Sequence, residues 1–193
     1  MQYLDAQLLL FINHNLVNPV FDVLMPALSL QGYLLVLPFL IYMVIHGVRQ
    51  EDQRGMGHGT TAIWTIVIAC LAVYLTVFVE DWMKDAVARV RPCRALEGIR
   101  LILPCPKSKS MPSGHAISSF AFATPLFLLT RTYIKLAWRL YPVVLASLIA
   151  FSRLYLGVHY PTDVLVGAVL GASIGMMLSF LWRMIPDSHS FHP

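Results

Sequence analysis

Long apolar runs separated by short polar segments make up most of the chain. The runs lie at residues 32–48, 60–83, 113–130, 135–152 and 162–184. An α-helix needs roughly 17 to 25 apolar residues to cross the hydrocarbon core of a bilayer. The pattern therefore predicts an all-α integral membrane protein with five transmembrane helices. Because no internal repeat or domain linker interrupts it, we expect a single domain over residues 1–193.

The first quarter of the chain is less regular. An apolar segment at 20–32 precedes the first run, and Pro26, Gly32 and Pro38 can break one long helix or separate two short ones. The total is then about five to six transmembrane helices. Residues 1–16 combine an apolar stripe with four polar side chains, which indicates an interfacial helix. The polar side chains are those of Asp5, Gln7, Asn13 and His14.

Composition supports the membrane assignment. The chain is 58% hydrophobic and 12% charged, with a mean hydropathy of +0.68, which is too apolar for an ordinary soluble domain. Its net charge of +4 and pI near 9.1 come from basic residues in short loops, and no nucleic-acid-binding motif is present. We therefore expect membrane lipids as partners rather than nucleic acid. The sequence does not indicate an oligomeric state.

The chemically interesting residues fall on one side of the membrane. Because successive spans alternate in direction, the loops 84–112 and 152–162 lie on the same face, and residues 84–111 form the longest connection of the chain. Four helix ends on this face bring basic, hydroxyl, histidine and acidic side chains to one depth. The residues are Lys84, Arg91, Ser113, Gly114, His115, Arg153, His159 and Asp163.

The sequence MPSGHAI at 111–117 opens the third apolar run and predicts an anion held at a helix start. Pro112 has the fixed φ that suits a first helical turn, and Ser113 and Gly114 can leave backbone N–H groups free. The helix dipole presents positive charge at the same place. His115 then lies just inside the helix, aimed at the bound group.

Two cations precede this helix start. Lys84 and Arg91 are seven residues apart, so on one helix they face the same direction before Pro92 ends it. Taken singly, such residues are usually interfacial, with charged ends that reach the lipid headgroups, and we keep that interpretation for Arg89 and Arg94. We assign Lys84 and Arg91 to the anion site instead, only because they lie beside the other polar groups of this face.

Three cations, Lys84, Arg91 and Arg153, together with helix-terminal N–H groups, form a site for a multiply charged oxyanion, in practice phosphate. His159 and Asp163 are four residues apart at the start of the last run. The carboxylate can therefore reach one imidazole nitrogen and fix the tautomer. The other nitrogen is then free to act as a nucleophile.

A histidine that attacks phosphorus gives a phosphohistidine, which water hydrolyses in a second step. His115 is the remaining group suited to protonate the leaving oxygen. The surrounding cations would repel Mg²⁺ or Zn²⁺, and no zinc-type spacing of His or Cys occurs. The sequence therefore predicts a reaction without a metal or another cofactor.

These residues lie in three motifs: Lys84 through Arg91-Pro92, PSGH at 112–115, and SRLYLGVHYPTD at 152–163. The motifs resemble the three signatures of the type 2 phosphatidic acid phosphatase superfamily, which shares its core with vanadium-dependent haloperoxidases and bacterial acid phosphatases. The resemblance covers about 80 residues and implies the helix-bundle core of that superfamily. It also implies a role for each residue: Lys84, Arg91, Ser113, Gly114 and Arg153 bind phosphate, His115 is the acid, His159 is the nucleophile and Asp163 orients it.

The membrane spans separate this chain from the soluble members of the superfamily and imply a lipid-linked phosphate or diphosphate as substrate. The stretch RPC...LPCPKSKSMPSGHA is most similar to the undecaprenyl diphosphate phosphatases, with phosphatidylglycerophosphate and lipid A as alternative substrates. A protein of a different class would bind or transport a lipid phosphate without turnover. The two histidines and Asp163 disfavour it, because binding alone needs only the cations.

The loop charges do not decide which way the protein faces. The catalytic face carries eight basic residues and the other face six, and subtracting three phosphate ligands reverses the order to five against six. Cys70 lies mid-span and is predicted to be a buried hydrophobe, whereas Cys93 and Cys105 lie in the catalytic loop. Two free thiols are one interpretation. We predict instead a Cys93–Cys105 disulfide and an active site that faces the periplasm. The resemblance to bacterial members of the superfamily implies a location in the bacterial inner membrane.

Overall fold

A computed structural model describes residues 2–54 and 57–185, and these residues form helices and no strands. In chain order the α-helices are α1 (Gln2–Asn15), α2 (Pro19–Gln31), α3 (Leu37–Arg54), α4 (His58–Val87), α5 (Pro92–Ala95), α6 (Gly114–Leu129), α7 (Leu136–Tyr155) and α8 (Pro161–Arg183). A 3₁₀ segment, Gly32–Val36, connects α2 to α3. Residue 1, residues 55–56 and residues 186–193 of the predicted domain lie outside the described residues.

Four stretches of the described chain are long and apolar enough to cross a membrane. They are Pro19–Gln50, His58–Ala95, α7 and α8. The third predicted span corresponds to α6, which is apolar but, at 16 residues, shorter than the others. The predicted all-α membrane fold is therefore confirmed, with four long spans and one shorter apolar helix.

The first apolar stretch bends at a place that the sequence left open. Pro26 lies inside α2, and the α-helix is interrupted instead by the 3₁₀ segment that begins at Gly32. A Cβ atom at Gly32 would come within 2.9 Å of Ile149 Cγ1 on α7. The glycine therefore allows the break to pack closely against α7.

The helices that carry the predicted catalytic residues are packed backbone against backbone. Gly167, Gly171 and Gly175 recur every four residues along α8 and face α6. A Cβ atom at Gly171 would lie only 2.1 Å from the backbone oxygen of Ile117, so no larger residue fits without separating the helices. This contact fixes the start of α8 relative to the start of α6.

The N-terminal helix α1 packs on the catalytic face with a polar and an apolar side. Asp5 and Asn13 are buried against the protein, and Asn13 Nδ2 donates to the backbone oxygens of Arg100 (3.0 Å) and Tyr155 (2.8 Å). Leu4, Leu8 and Phe11 are exposed on the outer side. An interfacial helix presents such an apolar side to lipid. Its interfacial location remains a prediction.

Cys70 differs from the expectation. It is a free cysteine on α4, but its side chain is exposed on the surface of the helix bundle rather than buried in its interior. The apolar sequence around it does not distinguish a core-facing position from a lipid-facing one, because both favour hydrophobic residues.

Candidate active site

His159 lies in the turn between α7 and α8 and is only 2% exposed. Its Nε2 atom lies 2.8 Å from Arg91 Nη1. Because a guanidinium can only donate, Nε2 is the acceptor in this hydrogen bond and Nδ1 carries the ring proton. The structure therefore presents His159 as a neutral imidazole with the Nε2 lone pair directed at a cation.

The surroundings of His159 favour the neutral imidazole. Burial lowers the pKa of His159 to about 4, and the charges of Arg91 and Arg153 act in the same direction. The carboxylate of Asp163 opposes them and raises the pKa, but less than burial lowers it. At neutral pH the ring is therefore unprotonated at Nε2, which is the state that a nucleophile requires.

Asp163, in the first turn of α8, is fully buried and accepts several hydrogen bonds. Oδ1 accepts from Arg89 Nη1 (2.7 Å), and Oδ2 accepts from Ser110 Oγ (2.5 Å) and from the Tyr160 N–H (2.9 Å). The distance from Oδ2 to His159 Nδ1 is 3.6 Å, which is too long for a hydrogen bond but close enough for an ion pair when the ring becomes positively charged. The carboxylate thus faces the imidazole while its other contacts hold it in place.

Arg91 reaches the site by a route that differs from the prediction. Helix α4 ends at Val87, because Ala88 adopts a left-handed conformation (φ 50°), and Arg91 is the N-cap of the short helix α5. Lys84 and Arg91 therefore do not share a helix face, and Pro92 begins a helix instead of ending one. Arg91 is nevertheless 4% exposed, and its Nη1 atom donates to both His159 Nε2 and the Val158 oxygen (2.9 Å).

Arg153 and His115 line one small cavity of about 240 Å³, together with Ser29, Leu156 and Val158. Arg153 Nη1 donates to Ser29 Oγ, and His115 Nε2 donates to the Ser29 backbone oxygen at 3.1 Å. The cavity therefore joins the predicted acid to a predicted phosphate ligand, beside the residue that precedes His159.

The start of α6 matches the predicted anion site in part. Ser113 is the N-cap residue and is fully buried, but its N–H already donates to the backbone oxygen of Asp163 (3.0 Å). Pro112 precedes the helix rather than lying in its first turn. The N–H of Ser113 is thus used to join α6 to α8, whereas its hydroxyl has no hydrogen-bond partner.

Unpaired polar atoms concentrate at this site. Across the described part of the chain, five buried side-chain nitrogen or oxygen atoms have no hydrogen-bond partner. Three of the five belong to predicted site residues: Ser113 Oγ, Arg153 Nε and His159 Nδ1. Buried polar groups are normally satisfied, so a cluster of unsatisfied ones is typical of a site that binds a polar ligand.

Lys84 lies on the last turns of α4 and forms an ion pair with Glu80, one turn earlier on the helix. Glu80 also touches the start of α6, since a Cβ atom at Gly114 would lie 2.4 Å from its Oε1 atom. The glycine therefore lets the Glu80–Lys84 pair approach the N-terminus of α6. Lys84 and Gly114 are brought together as predicted, with Glu80 as an additional neighbour.

Arg89 is the main site residue that the sequence interpretation missed. It was predicted to be interfacial, but its guanidinium bonds to Asp163, Asp5 and Thr162 and lies 3.8 Å above the ring of Tyr160. The interpretation failed because a basic residue near a membrane boundary has the same local sequence whether it faces lipid or a buried carboxylate.

The last part of the catalytic-face loop is fastened to the short helix α5. Cys93 and Cys105, the pair predicted to be bridged, form a disulfide in the structure. Arg94, which was also predicted to be interfacial, instead donates to the backbone oxygens of Pro106 (2.6 Å) and Lys107 (3.2 Å). The disulfide and these hydrogen bonds hold residues 105–107 against α5.

Comparisons with known proteins identify the family of the chain. The family model described as the PAP2 superfamily matches residues 62–188. An undecaprenyl-diphosphatase of Sulfolobus acidocaldarius is 30% identical over 135 residues, which cover 62% of this chain and 64% of that protein. A decaprenylphosphoryl-5-phosphoribose phosphatase of Mycobacterium tuberculosis is 34% identical over 143 residues, which cover 65% of this chain and 76% of that protein. The chain thus spans just under two thirds of the first relative.

Two solved structures resemble this chain over most of its length. A transmembrane PAP2-type phosphatidylglycerolphosphate phosphatase of Bacillus subtilis has a TM-score of 0.68 at 22% identity, covering 95% of this chain and 87% of that one. At that identity the likeness shows the fold alone. The LpxE protein of Aquifex aeolicus has a TM-score of 0.60 at 29% identity, covering 89% of this chain and 92% of that one.

Proposed function

The chain belongs to the PAP2 superfamily, and from this premise we propose that it hydrolyses undecaprenyl diphosphate through a phosphohistidine on His159, without a metal. Membership of the family supports the predicted class, a phosphatase that acts on lipid phosphates, as do the names of two relatives, an undecaprenyl-diphosphatase and a decaprenylphosphoryl-5-phosphoribose phosphatase. The integral membrane location is likewise supported by the spans and the structural relatives.

The observation that carries the mechanism is the contact between Arg91 and His159. A neutral Nε2 lone pair faces a buried guanidinium, and two further donors, Ser113 Oγ and Arg153 Nε, are buried nearby without partners. A phosphate in this place would take over the Arg91 N–H that now bonds to Nε2 and would accept hydrogen bonds from all three ligands, so that the freed Nε2 lone pair faces its phosphorus. The positive charge also disfavours a divalent cation there, which supports a metal-free reaction.

The proposed reaction has two steps. Nε2 of His159 attacks phosphorus, so that a P–N bond forms as the P–O bond to the leaving group breaks, and His115 gives its proton to the leaving oxygen. Water then attacks the phosphohistidine and gives a proton back to His115, the P–N bond breaks and returns its electron pair to Nε2, and phosphate leaves. Asp163 stabilises the ring while it carries positive charge in the intermediate.

An apolar cavity of about 360 Å³ supports a lipid substrate. It lies among α3, α6, α7 and the 3₁₀ segment, and Tyr33 stands near the site end of this cavity, with its ring centroid 6.2 Å from that of His115. Apart from Ser118 and Ser119, the rest of its wall is apolar and includes Leu40, Phe122 and Leu145. A prenyl or acyl chain can lie there with its phosphate at His159, held by apolar contacts that are not specific for length.

We expect the purified protein to release inorganic phosphate from undecaprenyl diphosphate with a higher kcat/KM than from phosphatidylglycerophosphate or lipid A, all in one detergent. Shortening the prenyl chain should change kcat/KM by less than about tenfold, because the tail contacts are loose. Activity should persist in EDTA and fall with vanadate, which mimics the five-coordinate phosphorus. The His159→Ala protein, prepared in parallel, serves to subtract contaminating phosphatase.

Three other results would change the proposed substrate, the proposed metal-free reaction or the proposed class of protein. A higher kcat/KM for phosphatidylglycerophosphate or lipid A would replace the proposed substrate but keep the mechanism. Strict dependence on added Mg²⁺ would overturn the metal-free reaction. Binding of the lipids without release of phosphate from any of them would favour a binding or transport protein.

We further propose that the active site faces the periplasm of a bacterial inner membrane. A disulfide in the catalytic loop is the bond expected in an oxidising compartment. The basic residues of this face are largely engaged within the protein, since Arg100 pairs with Asp22 and Arg94 bonds to the loop backbone. Their number therefore reflects the site and its supporting loop more than the orientation of the chain.

Thiol labelling tests this orientation in bacteria that express the chain with Cys70→Ser. We expect a membrane-impermeant maleimide to label Cys93 and Cys105 in intact cells only after reduction. A matched control adds Lys135→Cys on the opposite face, where the side chain is exposed and should be labelled only after the membrane is permeabilised. Labelling of the loop cysteines only after permeabilisation would contradict the periplasmic orientation. Labelling in intact cells without reduction would contradict the disulfide and remove the argument that rests on it.

A further inference from the structure

A second charged group lies behind the catalytic pair, and it begins on the N-terminal helix. Asp5, on α1, is 5% exposed. Its Oδ1 atom accepts from the Thr162 N–H (3.0 Å), and its Oδ2 atom accepts from Thr162 Oγ1 (2.5 Å) and Arg89 Nη2 (2.5 Å). A carboxylate from one end of the chain thus contacts the first turn of α8, one residue before Asp163.

Arg89 connects this carboxylate to the site. Its Nη2 atom donates to Asp5, while its Nη1 atom donates to Asp163 Oδ1 (2.7 Å) and to Thr162 Oγ1 (2.7 Å). The guanidinium also stacks on Tyr160. Because contacts on several sides fix the position of this guanidinium, it can in turn fix the position of the Asp163 carboxylate.

We propose that Asp5 and Arg89 are positioning residues: Asp5 holds Arg89, and Arg89 holds the Asp163 carboxylate ionised and directed at His159. This inference rests on the proposed function of His159. Neither residue needs to touch the phosphate, since Arg89 acts through Asp163 and Asp5 acts through Arg89. The N-terminal helix, which lies outside the region that matches the family model, would thereby contribute to catalysis.

The charge balance explains why a cation is needed there. Asp5 and Asp163 are both buried carboxylates, and Arg89 is the cation between them. Without Arg89, the two buried carboxylates would repel each other with no cation between them, and this repulsion would move Asp163 away from His159. A displaced Asp163 could no longer stabilise the positive ring that forms when His159 attacks phosphorus.

The test is a double-mutant cycle on the full-length protein with undecaprenyl diphosphate. We expect Arg89→Gln to lower kcat about tenfold to a hundredfold, and Asp5→Asn to lower it about tenfold, each with KM changed by less than about threefold. If Asp5 acts through Arg89, the double variant should be no slower than Arg89→Gln alone. Retained vanadate binding and a single gel-filtration peak in detergent show that a variant is folded.

The structure offers a matched control pair. Asp22 and Arg100 also form an ion pair between an N-terminal helix and the catalytic-face loop, at 2.6 Å, but neither contacts Asp163. Asp22→Asn and Arg100→Gln should therefore leave kcat within about twofold of the wild type. A loss in these variants as large as in Asp5→Asn would mean that any ion pair fastening the loop has this effect, and would overturn the specific role.

Other outcomes also decide the question. A rise in KM at constant kcat for Arg89→Gln would make Arg89 a phosphate ligand instead. If the loss of kcat in the double variant equals the product of the two single losses, Asp5 acts independently of Arg89. If Arg89→Gln is not recovered folded, Arg89→Lys replaces it, because lysine keeps the positive charge but lacks the two guanidinium nitrogens that contact Asp5 and Asp163. A wild-type kcat in Arg89→Lys would refute the proposal. A lower kcat at constant KM would support it. If the wild-type protein does not hydrolyse undecaprenyl diphosphate, the proposed function is refuted. If the wild type does so and all the variants have the wild-type kcat, only the role of Asp5 and Arg89 is refuted.

Discussion

His159→Ala should abolish phosphate release, lowering kcat by about 10⁵-fold or more while the protein remains folded. The loss is this large because the variant has no atom that can form the P–N bond, and the remaining cations can only bind the phosphate. Release of phosphate from undecaprenyl diphosphate measures it. His14→Ala is a matched control, because His14 lies on the same face but bonds only to the Gly98 backbone oxygen, and its kcat should stay within about twofold of the wild type.

The pH dependence of the wild type checks the state of the nucleophile. Burial lowers the pKa of His159 to about 4, so the neutral form persists as the pH falls and is lost only as the pH passes through that value. A histidine with an ordinary pKa of about 6.5 would already be about 97% protonated at pH 5. After correction for ionisation of the substrate and of His115, the proposed acid, kcat/KM should therefore hold at pH 5. A decline centred near pH 6.5 would contradict the neutral His159.

Trapping the intermediate separates a nucleophile from a structural histidine. With substrate labelled at the terminal phosphorus, rapid quenching in alkali should retain label on the wild-type protein and on His14→Ala but not on His159→Ala. Label that stays on the His159→Ala protein would assign the nucleophile to another residue, and full turnover by that variant would refute the mechanism altogether.

The membrane spans and the helix-terminal motifs could be predicted from the sequence because they depend on local patterns. Apolar runs of sufficient length identify spans, and their alternation puts the ends of the helices that carry His115 and His159 on one face. Pro161 at the first position of α8 was also predictable, since proline suits that position. These inferences need only the neighbours of a residue along the chain.

The supporting contacts could not be predicted, because they join distant parts of the chain. Asp5 and Thr162 are separated by 157 positions, and nothing in the polar pattern of residues 1–16 distinguishes a side chain that faces water from one that bonds to α8. Arg91 shows a second reason. A spacing of seven residues predicts a shared helix face only if the helix continues, and the left-handed turn at Ala88 ends it, although alanine does not favour that conformation.

The second large effect concerns His115 and depends on the leaving group. His115 lines the cavity that contains Arg153, and its Nε2–H points at the Ser29 oxygen in the structure. If that proton goes to the leaving oxygen, its importance follows the basicity of that oxygen. Hydrolysis of a lipid phosphate monoester expels a strongly basic alkoxide. Hydrolysis of a lipid diphosphate at its terminal phosphorus expels the lipid monophosphate, a weak base whose conjugate acid has a pKa near 6.

We therefore expect His115→Ala to lower kcat by about 10³- to 10⁴-fold on a lipid phosphate monoester but by only about tenfold on undecaprenyl diphosphate. The same preparation is assayed on both substrates, so any loss of folded protein affects the two values equally and cancels in their ratio. His159→Ala provides the contrast, because loss of the nucleophile should abolish turnover of both substrates alike. Equal losses on the two substrates in His115→Ala would exclude proton donation by His115 and leave it as a residue that binds the phosphate or shapes the cavity.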